Sequence, residues 1–313
     1  MDKKYNRVLS NTTSRVIITG SNGFLGGCIC EEFYSHGWDV VGIDLFQQSP
    51  IREIKSVIGS IDSPAFDNLL SDFRPDLIIH AAGTASVQNS LRETLSDFNT
   101  NVSLNAGMLD KIRRIAPDTK VLFLSSAAVY GNPQKLPIHE DAPLNPISPY
   151  GYHKFMAEKI LQEYFEIFDI KSSILRIFSA YGPGLKKQIL WDICTKASRN
   201  DTIVLHGTGA ETRDFIHKAD IARAVMLISR NSEFSNEVFN LASGIQTSTK
   251  TVAEILLNSL NFRGSVSFSG QNRPGDPLYW QADIAKITQR GFSSTVDIST
   301  GLEEYARWFR ENE

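Results

Sequence analysis

Short, almost wholly apolar runs alternate along the first half of the chain with longer stretches in which apolar residues return every three or four positions. The short runs are Val16-Ile17-Ile18-Thr19, Asp39 to Ile43, Val57 to Ile61, Leu77-Ile78-Ile79-His80, Val121 to Ser125 and Ser173 to Ile177. Because they lack a polar alternation, they predict parallel strands covered on both faces. Gly23 to Ser35, Asp62 to Phe73, Ser96 to Ile115 and Tyr150 to Phe168 are the predicted helices, with Leu104, Met108 and Ile112 on one stripe of the third. Repeated strand–helix–strand order implies an α/β fold built on a doubly wound parallel sheet with right-handed crossovers.

After about Gly182 the rhythm changes. Loops rich in Gly, Pro, Arg and Asp appear at Gly207 to Arg213 and Gly270 to Pro277, with a helix at Lys218 to Ser229 and a strand at Val238 to Leu241 between them. We expect residues 15–181 to form the sheet domain and residues 182–313 mainly a smaller lobe over the carboxyl ends of its strands. Segments of about 215–245 would return to the sheet, and residues 1–14 would form a loose polar tail.

Composition narrows the class. The chain has 313 residues, 42% hydrophobic and 21% charged, enough for a large core in a soluble globular protein. A net charge of -3 without a long basic run argues against nucleic acid or anionic membrane as partners. No apolar stretch approaches the roughly 20 residues that cross a bilayer, and the first 15 residues lack the apolar segment of a secretion signal. Three cysteines, Cys28, Cys30 and Cys194, make no disulfide framework, so a reducing cytosol fits. The six histidines show no metal-ligand spacing, and no metal is expected.

Two patterns carry chemistry. The first strand runs into Gly20-Ser21-Asn22-Gly23-Phe24-Leu25-Gly26, a G-x-x-G-x-x-G loop ahead of a helix. Gly20 allows the tight turn, Gly23 lets backbone approach a pyrophosphate, and Gly26 lets the helix pack on the sheet. The helix start then offers free N–H groups and a positive dipole end to phosphate. Asp44, at the end of the second strand, stands where a carboxylate holds a ribose 2′-hydroxyl and would repel a 2′-phosphate. NAD is therefore favoured over NADP; alternatively, Asp44 is a solvated strand-end residue.

The second pattern is Ser148-Pro149-Tyr150-Gly151-Tyr152-His153-Lys154. Ser then Pro marks a helix start, which puts Tyr150 and Lys154 one turn apart on one face. A phenol is a poor base at neutral pH, but a lysine ammonium and an oxidised nicotinamide nearby would both favour phenolate. The fifth strand ends in Ser125-Ser126-Ala127-Ala128-Val129-Tyr130-Gly131, which places the Ser126 hydroxyl at the ligand-binding edge of such a sheet. Tyr152 and His153 read as structural or solvent-facing. Taken alone, a Tyr and a Lys four apart are as easily an exposed helix pair.

Together with His80-Ala81-Ala82-Gly83, Asn101, Tyr181-Gly182-Pro183-Gly184, Arg213-Asp214-Phe215-Ile216-His217 and Arg273-Pro274-Gly275-Asp276-Pro277, these pieces resemble the extended short-chain dehydrogenase/reductases. The likeness, to their nucleotide-sugar epimerase/dehydratase branch, runs from Val16 to about Phe309. It implies a Rossmann sheet domain binding NAD through Gly20, Asn22, Gly23, Phe24, Leu25, Gly26, Asp44, Ile61, Ala81, Ala82, Gly83, Asn101, Ser125, Tyr150 and Lys154. Catalysis would rest on Ser126, Tyr150 and Lys154. A nucleotide-diphosphate sugar would meet Ala127, Ala128, Ser179, Arg213, Arg273 and Asp276, with both guanidinium groups on the diphosphate. Pairing of the long helices across a two-fold would make a homodimer.

Three departures bear on the substrate. Ser179 stands where the family carries Asn, Gly59-Ser60-Ile61 replaces an adenine-contacting triplet with Asp, and Lys186 to Trp191 forms an unfamiliar loop beside the sugar-nucleotide pocket. Ala127 and Ala128 occupy the positions of the Asp-Glu pair of the 4,6-dehydratases, which argues against dehydration. No Cys is available in that stretch for C3 or C5 epimerisation. What remains is C4 epimerisation or reduction of a 4-keto sugar, with uronic acid decarboxylation a third option and a non-catalytic NAD-binding regulatory protein the alternative of another class.

Overall fold

Twelve strands are found among the described residues of the computed structural model, which are 13–46, 53–271 and 273–313; most of the expected tail, residues 1–12, lies outside them. In chain order they are β1 Arg15–Thr19, β2 Asp39–Asp44, β3 Lys55–Ile58, β4 Leu77–His80, β5 Lys120–Ser126, β6 Ser172–Ile177, β7 Ser179–Tyr181, β8 Thr202–Leu205, β9 Thr212–His217, β10 Ser235–Leu241, β11 Gln246–Ser248 and β12 Ser265–Phe268. Seven form one parallel sheet in the order β10-β6-β5-β4-β1-β2-β3. From β1 the chain builds outward first through β2 and β3, then back through β4, β5 and β6. The reversal between β1 and β4 opens a crevice at the carboxyl edge, where such sheets bind ligands.

Both faces of the sheet are covered, as the unbroken apolar runs require. Val16 and Ile18 of β1 pack with Ile29 and Phe33 of the helix Phe24–Ser35 and with Val225 and Ile228 of the helix Lys218–Asn231. Ile17 faces the other way, with Met108, Leu109 and Ile112 of the helix Leu104–Ile115 and Leu161 of the helix Pro149–Phe168. Each of these side chains is shut off from water, a gain of about 1.5–3 kcal/mol apiece. The predicted stripe of Leu104, Met108 and Ile112 belongs to this second layer.

Three expected elements differ in detail. The third strand is Lys55–Ile58, not Val57 to Ile61; it is the sheet edge, and Ile61 lies beyond it with its side chain in the core. The helix expected over 62–73 starts at Pro64 and widens into a π-turn at Leu69–Phe73. The helix expected over 96–115 starts at Thr94 and carries a π-turn at Asn99–Ser103, which rotates Asn101 inward.

The chain returns to the sheet with β10, which pairs with β6. The later residues form a separate core around Leu190, Ile193, Val252, Leu256, Leu302 and Tyr305, drawn from the helices Gln188–Ala197, Thr249–Ser259 and Ile298–Asn312. Its small sheets, β11-β9-β7 and β12-β8, set loops opposite the crevice.

Candidate functional site

The glycine loop is fixed by contacts that leave no room for side chains. Gly20 has φ +68°, donates its N–H to the Ile43 oxygen at 2.9 Å, and would put a Cβ within 2.8 Å of the Ala82 nitrogen. The turns after β1 and β4 thus touch. A Cβ on Gly26 would lie 2.0 Å from the Gly20 oxygen, so only glycine lets the helix sit this close to the strand. Gly23 precedes the helix, is exposed, and supplies no side-chain cap, so the amides of the first turn keep their donors for a ligand.

These residues fit NAD. The uncapped helix start can hold a diphosphate, and the buried Asn101 Oδ1 and Ser21 Oγ have no hydrogen-bond partner beside the loop and crevice. Asp44 stands where expected, at the end of β2, its Oδ2 accepting from the Asn22 N–H at 3.0 Å. Leu25, Ala81, Ala82 and Gly83 line the crevice. Two other residues named for the cofactor turn their side chains elsewhere. Phe24 packs against the lobe's core, and Ile61, 3% exposed, joins the core under the sheet, leaving only backbone for a cofactor.

The floor of the crevice carries Ser126, Tyr150 and Lys154 together, in a cavity of about 510 Å³. Local structure delivers each of them. Ser148 caps the long helix, accepting from the Gly151 N–H at 3.2 Å, with Pro149 at its first position. The Tyr150 N–H donates to Ser90 Oγ at 3.1 Å, and Lys154 Nζ donates to the Leu124 oxygen at 3.0 Å while lying 4.7 Å above the Phe123 ring. Ser126 ends β5, and its Oγ accepts from the Ala128 N–H at 3.2 Å.

Burial rules the protonation of both long side chains. It pushes the Tyr150 phenol up to about 12, with the Ser126 hydroxyl acting the other way and Asp97 adding to the rise. It pulls Lys154 down to about 8, opposed by the carboxylates of Asp97 and Glu158. The expected lowering by Lys154 is not among the influences on Tyr150; desolvation prevails, and the chain's own groups hold the phenol protonated at neutral pH.

Neighbours in sequence part company here. Successive strand residues point to opposite sides, so Ser126 faces the crevice while the Ser125 hydroxyl donates to Glu158 Oε1 at 2.5 Å. Glu158 in turn holds Arg176, which donates to both its oxygens. Ser125 therefore serves this buried pair while also lining the cavity beside Ser126. Ala128 lines the cavity, but Ala127 does not; a tight helical turn over Ala127–Tyr130 rotates it fully into the core, which corrects its expected contact with substrate. Tyr152 is exposed, whereas His153 is buried against Asp97 rather than solvent-facing.

The facing wall comes from the lobe. Ser179, Arg213, Arg273 and Asp276 all line the same cavity. Arg213 lies 5.7 Å from the Trp280 ring, and its Nη1 donates to the Thr212 oxygen at 2.9 Å. Burial lowers its pKa, against the pull of Asp276 and Glu211. Arg273 is more open and sits 3.6 Å from Asp192. Asp214, next to Arg213 in sequence, accepts from Ser243, Gly244 and Ala282 and ties the lobe together.

Other lining residues were not singled out from the sequence. Lys187 reaches across to the Ala85 oxygen at 3.1 Å, and Gln188, Asp192 and Glu211 stand beside it. The signal for Lys187 and Gln188 was the unfamiliar stretch after Gly184; most of that stretch is helix, and Lys186 points outward, 3.7 Å from Glu313. Nothing local marked Trp280 or Thr84 to Gln88. Among the described residues no cluster of metal-ligating side chains occurs, and no helix is long and apolar enough to cross a membrane.

Known proteins are similar to this chain over most of its length. A putative UDP-glucose 4-epimerase of Methanocaldococcus jannaschii is 27% identical over 95% of this chain and 99% of its own length. A UDP-glucose 4-epimerase of Azospirillum brasilense is 29% identical over 88% of this chain and 86% of its own. The structure of MoeE5 in complex with UDP-glucose and NAD is 25% identical, with a TM-score of 0.87 over 95% of this chain and 99% of that one. The family described as NAD dependent epimerase/dehydratase matches residues 16–242, which take in the glycine loop, β5 and the Tyr150 helix, and the chain belongs to that family.

Proposed function

We propose that the chain inverts C4 of a nucleotide-diphosphate sugar, using NAD that stays bound through the reaction. The observation that carries this reading is the meeting of Ser126, Tyr150 and Lys154 on the floor of one cavity whose other wall presents Arg213 and Arg273. The relatives named above support it by what they act on. At about 510 Å³ the cavity is in the ordinary range for a small-molecule site.

NAD, when bound, would supply a reversible hydride acceptor and, in its oxidised form, a positive charge that favours phenolate. Tyr150 takes the proton of the sugar hydroxyl and gives it back. Ser126 donates a hydrogen bond to the same oxygen, so that negative charge developing there meets two fixed donors. Lys154, anchored on the Leu124 oxygen, adds cationic charge beside the phenol. Arg213 and Arg273 hold the diphosphate, so the sugar can turn while its anchor stays in place. Ala128 offers no acid or base, which excludes dehydration through that position.

Turnover of a panel of nucleotide sugars with no added cofactor, with mass spectrometry of the nucleotide released on denaturation, tests this reading. Epimer formation with released NAD supports it. Consumption of a keto sugar only with stoichiometric NADH would establish a 4-ketoreductase, and carbon dioxide release a uronic acid decarboxylase. Tyr150→Phe with unchanged NAD binding and no sugar turnover in either protein would favour a binding module. A homodimer accompanies the reading: Leu91, Leu95, Tyr152 and Met156 are exposed on adjoining helices, and sedimentation of Leu95→Glu tests that face.

A further inference from the structure

One buried carboxylate–imidazole pair in the molecule has no part in the chemistry described so far. His153 lies between the two reacting side chains on their helix, three residues after Tyr150 and one before Lys154. Its Nδ1 is 2.6 Å from Asp97 Oδ2, and both residues are buried. The Thr84 hydroxyl donates to the second Asp97 oxygen, and Thr84 in turn accepts from Asn101 Nδ2 at 2.8 Å. Asn101 Nδ2 also donates to the Asp97 backbone oxygen at 3.2 Å, and the Phe98 ring meets the imidazole edge-on at 5.5 Å. Thr84 itself lines the cavity. A chain of hydrogen bonds thus runs from the cavity wall, through Asp97, to the helix that carries Tyr150 and Lys154.

We propose that Asp97 and His153 are a positioning pair, which holds the Tyr150 helix at its depth in the cavity and sets how readily Tyr150 and Lys154 exchange protons.

Three observations support a role beyond holding the fold. A buried carboxylate is a poor source of stability even when hydrogen-bonded, because its desolvation offsets most of what its partners return. The Asp97 carboxylate acts on both reacting groups, disfavouring phenolate at Tyr150 and favouring ammonium at Lys154. And the bond to His153 locks the imidazole in the tautomer with its proton on Nδ1, leaving the carboxylate with two directed donors.

The charges around the pair are few. On the Asp97 side, Arg92 and Glu93 border the same surface hollow. On the Lys154 side stand Glu158, one turn along the helix, and His80 on β4, which burial holds neutral with its pKa near 3. Tyr150 itself feels the Ser126 hydroxyl and the charge of Asp97.

The kinetic arm of the test rests on the epimerase reading; the spectroscopic arm does not. In Asp97→Asn both limbs of the pH profile of kcat/KM should move to lower pH by about half to one unit. The phenol loses a carboxylate that opposed its ionisation, and the lysine loses one that held its proton. The Tyr150 resonance in 13C-tyrosine spectra of the NAD complex, assigned with Tyr150→Phe, should titrate lower by the same amount. It reports whatever substrate the enzyme uses. Because removing one partner of a buried pair is costly, the double variant D97N/H153N, which leaves two amides to bond each other, keeps the test open. Unmoved limbs and an unmoved Tyr150 titration in either folded variant overturn the proposal, as does failure of both to fold, which would make the pair structural. A shifted Tyr150 titration without epimer formation would retain this proposal while sinking the reaction assigned above.

Discussion

The two walls of the cavity are made of different material. On the sheet side the surface is made of apolar residues and backbone, Leu25 and Ala81 to Gly83 beside the glycine loop. On the lobe side it is charged side chains, with Arg213 reaching in from the start of β9, Arg273 and Asp276 from a loop and Lys187 from a helix start. Backbone walls suit what does not vary, such as a dinucleotide, for which this one leaves N–H groups free. Side-chain walls can be exchanged one residue at a time, and the Ser179 and Lys187 positions are where substrate preference has room to change. Between the two stands the floor, where Ser126, Tyr150 and Lys154 are placed by a strand end and a helix face, the stiffest parts of the fold.

Substitutions on the floor, the sheet wall and the lobe wall should therefore fail in different ways. Tyr150→Phe should lower kcat by about 10²–10⁴-fold while NAD affinity, read by fluorescence titration, is kept. Gly26→Ala drives a Cβ to 2.0 Å from the Gly20 oxygen. It should cost at least about 3 kcal/mol in denaturant unfolding and weaken NAD binding together with stability. Arg213→Ala should raise KM by about 30- to 100-fold with less change in kcat, whereas Arg273→Ala, at a more open site already beside Asp192, should raise it only about threefold. Equal effects of the two arginines would erase the asymmetry of the lobe wall.

A pH titration of stability sharpens the contrast for the floor. Lys154 is depressed from 10.5 to about 8 in the folded chain. Between those values the unfolded chain binds a proton that the folded chain has lost, so unfolding becomes harder as pH rises across that window. The wild type should gain about 2 kcal/mol over Lys154→Met from pH 7.5 to 10, measured by urea unfolding. The smallest effect is expected at Ser125→Ala, about 1 kcal/mol of stability lost with Glu158 short of one donor and no change in NAD affinity. A rise in the NAD dissociation constant there would return Ser125 to the cofactor wall.

Much of the sheet wall was legible because its physics is local. The spacing of Gly20, Gly23 and Gly26 states where a strand turns into a helix, and Ser148-Pro149 states where another begins. The uniformly apolar runs announced burial on two faces, and β1, with Ile17 facing one layer and Val16 and Ile18 the other, has it. Register was less legible. Ile61 read as strand because it is apolar, but its burial comes from folding under the sheet after an exposed edge strand. Ala127 and Ala128 look equivalent in sequence; a turn of about 120° per residue sends one to the core and the other to the cavity. His153 could be read as structural or exposed, since nothing nearby names Asp97, 56 residues earlier, as its partner.

Order of elements, the dinucleotide loop and the one-turn spacing of Tyr150 and Lys154 were determined by the sequence alone, because each depends on contacts within a few residues and on periods of two or 3.6. That Ser125 turns to Glu158, that Ala127 turns to the core, and which carboxylate stands behind the reacting pair were decided only by the tertiary structure. Those outcomes depend on the direction in which distant segments approach each other. In a densely packed interior that direction is set by the fit of whole surfaces rather than by any short stretch of chain.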